Sequence, residues 1–263
     1  MFNRSEIRAL IVSIVVMTLA LAFDDGSTSF QWGYWLWNFS AVFLIVTVSF
    51  LAQQLAHKIV ARMNGFDTEY SLWGIQNLRL NPMHFMGKGK NKTFPRTVRL
   101  FGKEFLIKAF PIGLVLSLFI TLISNGKLFF LALGQYTLLL KKPSRFGRKF
   151  VEVTHYEEAK IALAGPMTNI ALMVLGKMFN SYGTFDTFIL INAAMALFYM
   201  IPISQLAGTK VFFGSRILYV SSLVFMISLV VLTYTVSVIP LLIISLLSLF
   251  VGGSLYYYYN YFK

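Results

Sequence analysis

The chain has 263 residues, of which 57% are hydrophobic, 16% aromatic and 13% charged, with a mean hydropathy of +0.69 and a formal charge of +13. Soluble domains carry about 25% charged residues, so the composition excludes a disordered chain, argues against an ordinary soluble globule and points to one integral membrane domain over residues 1–263. No cysteine is present, which excludes disulfides, thiolate zinc sites and iron–sulfur clusters, and His57, His84 and His155 are the only histidines.

Runs without Asp, Glu, Lys or Arg locate the elements. Residues 26–57 and 217–262 are two such runs. A bilayer crossing needs about 20 apolar residues, each rising about 1.5 Å, so the second run holds two crossings, with Pro240 as the break. Eight helical spans are predicted, at 7–23, 33–57, 109–124, 127–140, 158–178, 187–204, 217–236 and 240–259. The fourth is short, and a tilted, re-entrant or non-crossing path stays open for it. The fold class expected is therefore all-α, a polytopic bundle of about six to eight spans. Met1–Arg8 followed by an apolar run has the form of a signal peptide, but Asp24-Asp25 rather than a small-residue cleavage site follows it, so a retained helix is expected.

Between the spans, segment 58–108 holds ten Lys/Arg against three acids, and 141–160 holds six against three. In an eight-span arrangement every basic residue except Lys127 and Lys177 falls on one side, and Asp24, Asp25 and Asp186 fall on the other. The positive-inside rule then places both termini in the cytoplasm of a multi-pass protein of the cell membrane. The positive charge is accounted for by flanks lying beside anionic lipid, so the bilayer is the expected partner and nucleic acid is not. Trp32, Tyr34, Trp35 and Trp37, and Tyr256–Tyr259 with Tyr261, have the placing of interfacial belts. The polar insertion at about 64–108 contains Asn64-Gly65 and Gly87-Lys88-Gly89-Lys90. Its runs Ser71–Ile75 and Thr97–Phe101 predict a small β-hairpin-like element against the membrane face. Segment 141–157, with Pro143 and Gly147, is a second cytoplasmic loop.

Polar groups at span ends are the informative features, because unpaired polar groups in hydrocarbon are unfavourable by several kcal/mol. Three motifs qualify: Gln53-Gln54-Leu55-Ala56-His57-Lys58, Ala164-Gly165-Pro166-Met167-Thr168-Asn169, and Pro202-Ile203-Ser204-Gln205-Leu206-Ala207-Gly208-Thr209-Lys210. The expected topology puts all three near one membrane face. Together they resemble the site-2 protease family of intramembrane zinc metalloproteases, most of all its archaeal-type members, over about residues 35–216. That family carries His-Glu-x-x-His on one helix, a Gly-Pro-x-x-Asn motif on another, and a later Leu-Asp-Gly. Two His and the Asp bind zinc, and the Glu is the general base. Gly165, Pro166 and Asn169 match the second motif. The resemblance also implies a substrate groove formed by Gly165, Pro166, Asn169, Tyr199 and Pro202.

The reactive positions depart from the family. Gln53 stands at the first zinc ligand, Gln54 at the general base and Ala207 at the aspartate ligand; His57 alone is kept. Tyr199 stands where the family often has Asn. An amide cannot take a proton from water near neutral pH, and alanine offers no donor atom. The resemblance therefore implies no bound metal and no functional catalytic residue, zinc being the cofactor of active relatives only. A pseudoprotease that binds or regulates transmembrane segments of other membrane proteins, or a membrane complex, is the leading expectation. An intramembrane zinc metalloendopeptidase inactivated here by substitution is the alternative, and a structural subunit or transporter is the third.

Each motif also has a plainer reading. Gln53 and Gln54 have the chemistry of interhelical hydrogen bonding, His57 that of a helix-end histidine, and Asn169 that of helix glue beside Gly165. Pro166 and Pro202 kink or end helices, while His84 and His155 read as loop residues. A replacement zinc site from His57, His84 and Glu157 or Glu158 requires two loops to fold over one point.

Overall fold

A computed structural model describes residues 2–24, 26, 30–74, 77–78, 92–93, 96–100, 103–107, 109–140, 153–180 and 182–261. The chain is mostly helical. In order it forms α1 (Arg4–Leu21), α2 (Trp32–Met63), β1 (Phe66–Leu72), β2 (Asn77–Leu78), β3 (Lys92–Thr93), β4 (Arg96–Leu100), β5 (Lys103–Ile107), α3 (Ile112–Ile123), β6 (Gly134–Leu140), α4 (His155–Met178), α5 (Asp186–Tyr199), α6 (Ala207–Gly214), α7 (Arg216–Thr235) and α8 (Val238–Tyr261). Among the described residues, α2, α4 and α7 are long and apolar enough to cross a membrane, while α3, α5 and the Val238–Ser248 part of α8 are shorter apolar helices. Two compact units are present, residues 1–43 with 69–137 and residues 44–68 with 138–263.

In the first unit, α1 opens on a capping box. Asn3 accepts from the first turn, and its own N–H donates to Glu6 Oε2 at 2.7 Å. The other oxygen of this buried carboxylate accepts from the Tyr70 N–H in β1 at 2.9 Å. The Ser13 and Tyr70 hydroxyls share a buried hydrogen bond of 2.7 Å, and the Ser5 hydroxyl donates to Glu69 Oε1 at 3.0 Å. Strand β1 pairs with β6. A Cβ at Gly134 would overlap the Tyr70 ring, so only glycine lets that ring lie against the strand. Strands β4 and β5 form an antiparallel hairpin, with Val98 opposite Phe105, and β2 pairs with β3.

The segment predicted as a fourth helical span, 127–140, is a correction: its second half is β6. Helix α3 has 12 residues, about 18 Å of rise, against a hydrocarbon core of about 30 Å. After it the chain turns at Asn125 and Gly126, both at positive φ (52° and 81°), a conformation that glycine adopts readily. It then returns beside α3. Trp73 N–H donates to Leu133 O at 2.9 Å, and Gly113 N–H donates to Trp73 O at 3.2 Å, so residue 133 is back at the level where α3 began. The return leg takes its hydrogen bonds from β1, and local apolarity carries no sign of that distant partner.

The span predicted at 187–204 is also divided. Helix α5 stops at Tyr199, Pro202 cannot continue it, Ser204 adopts φ 53°, and α6 starts at Ala207. The runs expected at 71–75 and 97–101 overlap β1 and β4, but they do not form a hairpin with each other: β1 pairs with β6 and β4 with β5. The break expected at Pro240 falls just before it, with Pro240 in the first turn of α8. Gly87–Lys90, His84 and the loop 141–152 lie outside the described residues.

In the second unit, α2 buries Val46, Ser49, Phe50, Gln53, Gln54, His57, Lys58 and Ala61 and exposes Leu44, Val48, Leu55 and Ile59. That is one face of a 3.6-residue period. The helix ends where Gly65 takes φ 86°, and the Asn64 side chain donates to Val60 O at 2.7 Å.

Candidate functional site

The buried face of α2 meets α4 in an antiparallel seam. Near one end, the His57 ring donates from Nδ1 to the Ile161 carbonyl at 2.8 Å; because a carbonyl only accepts, Nδ1 carries the proton. Pro166 gives α4 no N–H for the Ala162 carbonyl and crowds that turn. Further along, Asn169 Nδ2 donates to Gln53 Oε1 at 3.1 Å. Between the two bonds sits Gly165. A Cβ there would overlap His57 Nε2 and come within 2.9 Å of Gln53 Cγ. The Nε2 edge of the ring thus faces the α4 backbone, and the helices approach this closely only because residue 165 has no side chain.

The seam is incompletely satisfied. Gln53 and Asn169 are each 0% exposed, yet Gln53 Nε2, Asn169 Oδ1 and Ser49 Oγ have no hydrogen-bond partner. Ser49 and Gln53 are four residues apart and share the buried face of α2. The leftover set is a donor, an acceptor and a hydroxyl, which is the complement of a peptide unit.

Helix α6 lies along the first turns of α4. A Cβ at Gly214 would overlap the His155 carbonyl, and Lys210 Nζ is 3.1 Å from Glu158 Oε1. Ala207, at the start of α6, is buried. A Cβ at Gly208 would overlap the Met200 carbonyl, and the Tyr219 hydroxyl donates to that same carbonyl at 3.1 Å, fastening the α5–α6 turn. Burial pulls the Lys210 ammonium below its ordinary range, and Glu158 offsets this in part.

At the end of α2, Lys58 Nζ donates to the Thr68 carbonyl at 2.6 Å and lies 3.9 Å from Asp67, while Arg62 is 3.4 Å from Asp67. Burial raises the Asp67 carboxyl. The Thr68 N–H, Lys58 and Arg62 together outweigh that and hold it below the ordinary carboxylate range.

The positions singled out in the sequence therefore fall as follows. Gln53, His57, Gly165 and Asn169 converge, and Ala207 is buried at the start of α6. Gln54, Pro166 and Tyr199 are buried, and Pro202 is exposed. His155 is exposed at the start of α4, while His84 lies outside the described residues. Sequence reasoning missed the roles of Ser49, Glu158 and Lys210. A serine four residues before Gln53 on one helix face was the available signal for the first. Lys210 and Glu158 are separated by 52 positions, so their pairing has no local signature. Among the described residues no group of three or more His, Cys, Asp or Glu side chains is placed to hold a metal ion. In comparisons with protein-family models, curated proteins and solved structures, nothing matches the chain.

Proposed function

We propose that this chain is a site-2-protease-like membrane protein without proteolytic chemistry, a pseudoprotease that binds or regulates transmembrane segments. The observation that carries the reading is the convergence of Gln53, His57, Gly165 and Asn169. These are the positions at which the resemblance expects two ligands and the substrate motif. The donor set does not fit zinc. One amide is bonded to another, alanine has no donor atom, and the single imidazole spends Nδ1 on Ile161 O and turns Nε2 toward Gly165. Gln54 cannot act as base. What remains is a buried pair of amides with one spare donor and one spare acceptor, suited to the backbone of an unwound segment.

In the same reading the protein is multi-pass with both termini cytoplasmic. Helices α1, α2, α4, α5, α7 and α8 cross, while α3 and its return leg enter and leave on one face. An even number of crossings keeps the basic loops on one side.

The test uses the purified full-length protein in lipid vesicles. Zinc content is measured, and binding of a fluorescent single-span peptide with a central Gly-Pro break is titrated. The expected result is no stoichiometric zinc, no cleavage, and saturable binding that Gly165→Leu abolishes. Chelator-sensitive cleavage, or one zinc per chain lost on substituting His57, overturns the reading.

A further inference from the structure

The insertion between β1 and α3 is rooted at one point. A Cβ at Gly74 would come within 2.8 Å of Ala109 Cβ and 3.1 Å of the Phe110 carbonyl, and the Gly113 N–H donates to Trp73 O. The chain therefore leaves and rejoins the fold beside the first turn of α3. That helix exposes Val115, Phe119, Leu122 and Ile123, an i, i+4, i+7, i+8 apolar stripe suited to lipid. Ile107 ends β5 two residues before Ala109, at most about 7 Å of chain. The β4–β5 hairpin is thus held at the end of α3 where the chain enters the apolar layer. Residues 75–108 hold eight Lys/Arg against one acid, and strand register sorts the charges of the hairpin. Alternation along each strand and the pairs Arg96–Ile107, Val98–Phe105 and Leu100–Lys103 put four apolar and two basic residues on one face. The other face carries Thr97 opposite Leu106 and Arg99 opposite Glu104, so its charges cancel as a cross-strand pair. The sheet has two strands, too few for stability in water unless its apolar face is covered.

We propose that the β4–β5 hairpin docks on an anionic bilayer surface through the face that carries Val98, Leu100, Phe105 and Ile107, with Arg96 and Lys103 bound to lipid phosphates. Long basic side chains lay their stems along apolar surface and carry their charge to the headgroup level. Each also gains from the negative potential of a leaflet with acidic lipids. Basic composition alone places a loop near lipid. The register adds which face docks, and the absence of an acid from that face makes the docking selective for acidic headgroups. The docking involves the membrane surface alone and holds whatever the α2–α4 seam binds.

The chain has no cysteine, so single cysteines report on each face. Val98→Cys and Thr97→Cys are made in the full-length protein, labelled with a fluorophore, and reconstituted into phosphatidylcholine vesicles with or without phosphatidylglycerol. Lipids brominated near the headgroup end of the acyl chain serve as the contact quencher. With phosphatidylglycerol present, quenching at position 98 should be several-fold stronger than at position 97; without it, both should be weak. Arg96→Gln/Lys103→Gln should lower the docking constant about fivefold for each charge removed, and molar salt should also release the hairpin. Phe105→Cys against Leu106→Cys repeats the comparison on β5 should a β4 variant fail to fold. Equal quenching on the two faces overturns the proposal, as does quenching at position 98 that is the same with and without phosphatidylglycerol. Absence of quenching at both positions in both lipids, the result expected when protein covers the face, overturns it too.

Discussion

Two polar clusters in this molecule are built from similar groups to opposite ends. At the contact of α1 with β1, each carboxylate oxygen of Glu6 accepts a backbone N–H, and the Ser13 and Tyr70 hydroxyls meet each other. At the α2–α4 seam, Gln53 and Asn169 share one hydrogen bond and leave a donor and an acceptor unused, with Ser49 beside them. Both clusters are buried. A fully satisfied network rigidifies a fold, whereas a partly satisfied one carries a desolvation penalty that folding alone does not reward. Natural chains tolerate such penalties at functional sites. The first cluster is a staple, and the second is the candidate site.

That contrast can be broken by substitution. The largest effect is expected at Gly165, where any Cβ drives into His57. Gly165→Ala should destabilise the second unit by about 3 kcal/mol or more through overpacking, and His57→Ala added to it should restore part of the loss. Thermal melting of the three proteins in one detergent checks this; equal midpoints for the wild type and Gly165→Ala contradict the close approach.

A smaller loss belongs to the staple. Glu6→Gln replaces one acceptor oxygen with an amino group that faces an N–H, which should cost about 1–3 kcal/mol by leaving a buried group unpaired. The matching change at the seam should differ in sign. Gln53→Leu with Asn169→Leu removes both partners and both orphaned atoms, so the double variant should be within about 1 kcal/mol of wild type, or more stable. It should also lose peptide binding. If the double variant instead melts as low as Glu6→Gln, the seam is a staple too and the contrast fails.

The smallest effect concerns Asp67. Its carboxyl titrates below the ordinary value in the folded chain, so its ion pairs add stability that is complete above the unfolded-state range of about 4. That stability fades as pH falls through the depressed folded value. Asp67→Asn should therefore flatten the acid limb of the stability profile and leave the neutral region nearly unchanged. Melting between pH 3 and pH 7 reads this directly, and an unchanged acid limb argues against the Asp67 ion pairs.

Much of the helical framework was legible in residue order, because apolar runs, helix stops and prolines act locally. Asn64-Gly65 ends α2, and Pro240 marks the start of α8. The motifs at 53–58 and 164–169 were legible as well, since amides in apolar helices are conspicuous. Segment 127–140 misled for a physical reason: it is apolar enough for a span, but its hydrogen bonds go to β1, more than 60 positions earlier. The division of 187–204 was hinted at by Pro202, yet a short apolar run does not reveal that Ser204 will turn backward.

The amino-acid sequence by itself determined that this is an apolar, mostly helical chain with basic flanks, and that Gln53, Gln54 and Ala207 stand where a resemblance alone would expect two metal ligands and a base. Tertiary structure alone decided that Asn169 reaches Gln53, that His57 spends a ring nitrogen on Ile161, and that Lys210 finds Glu158. Hydrophobic period and chain-breaking residues act within one or two turns. A hydrogen bond or ion pair between helices depends on packing that no single segment encodes.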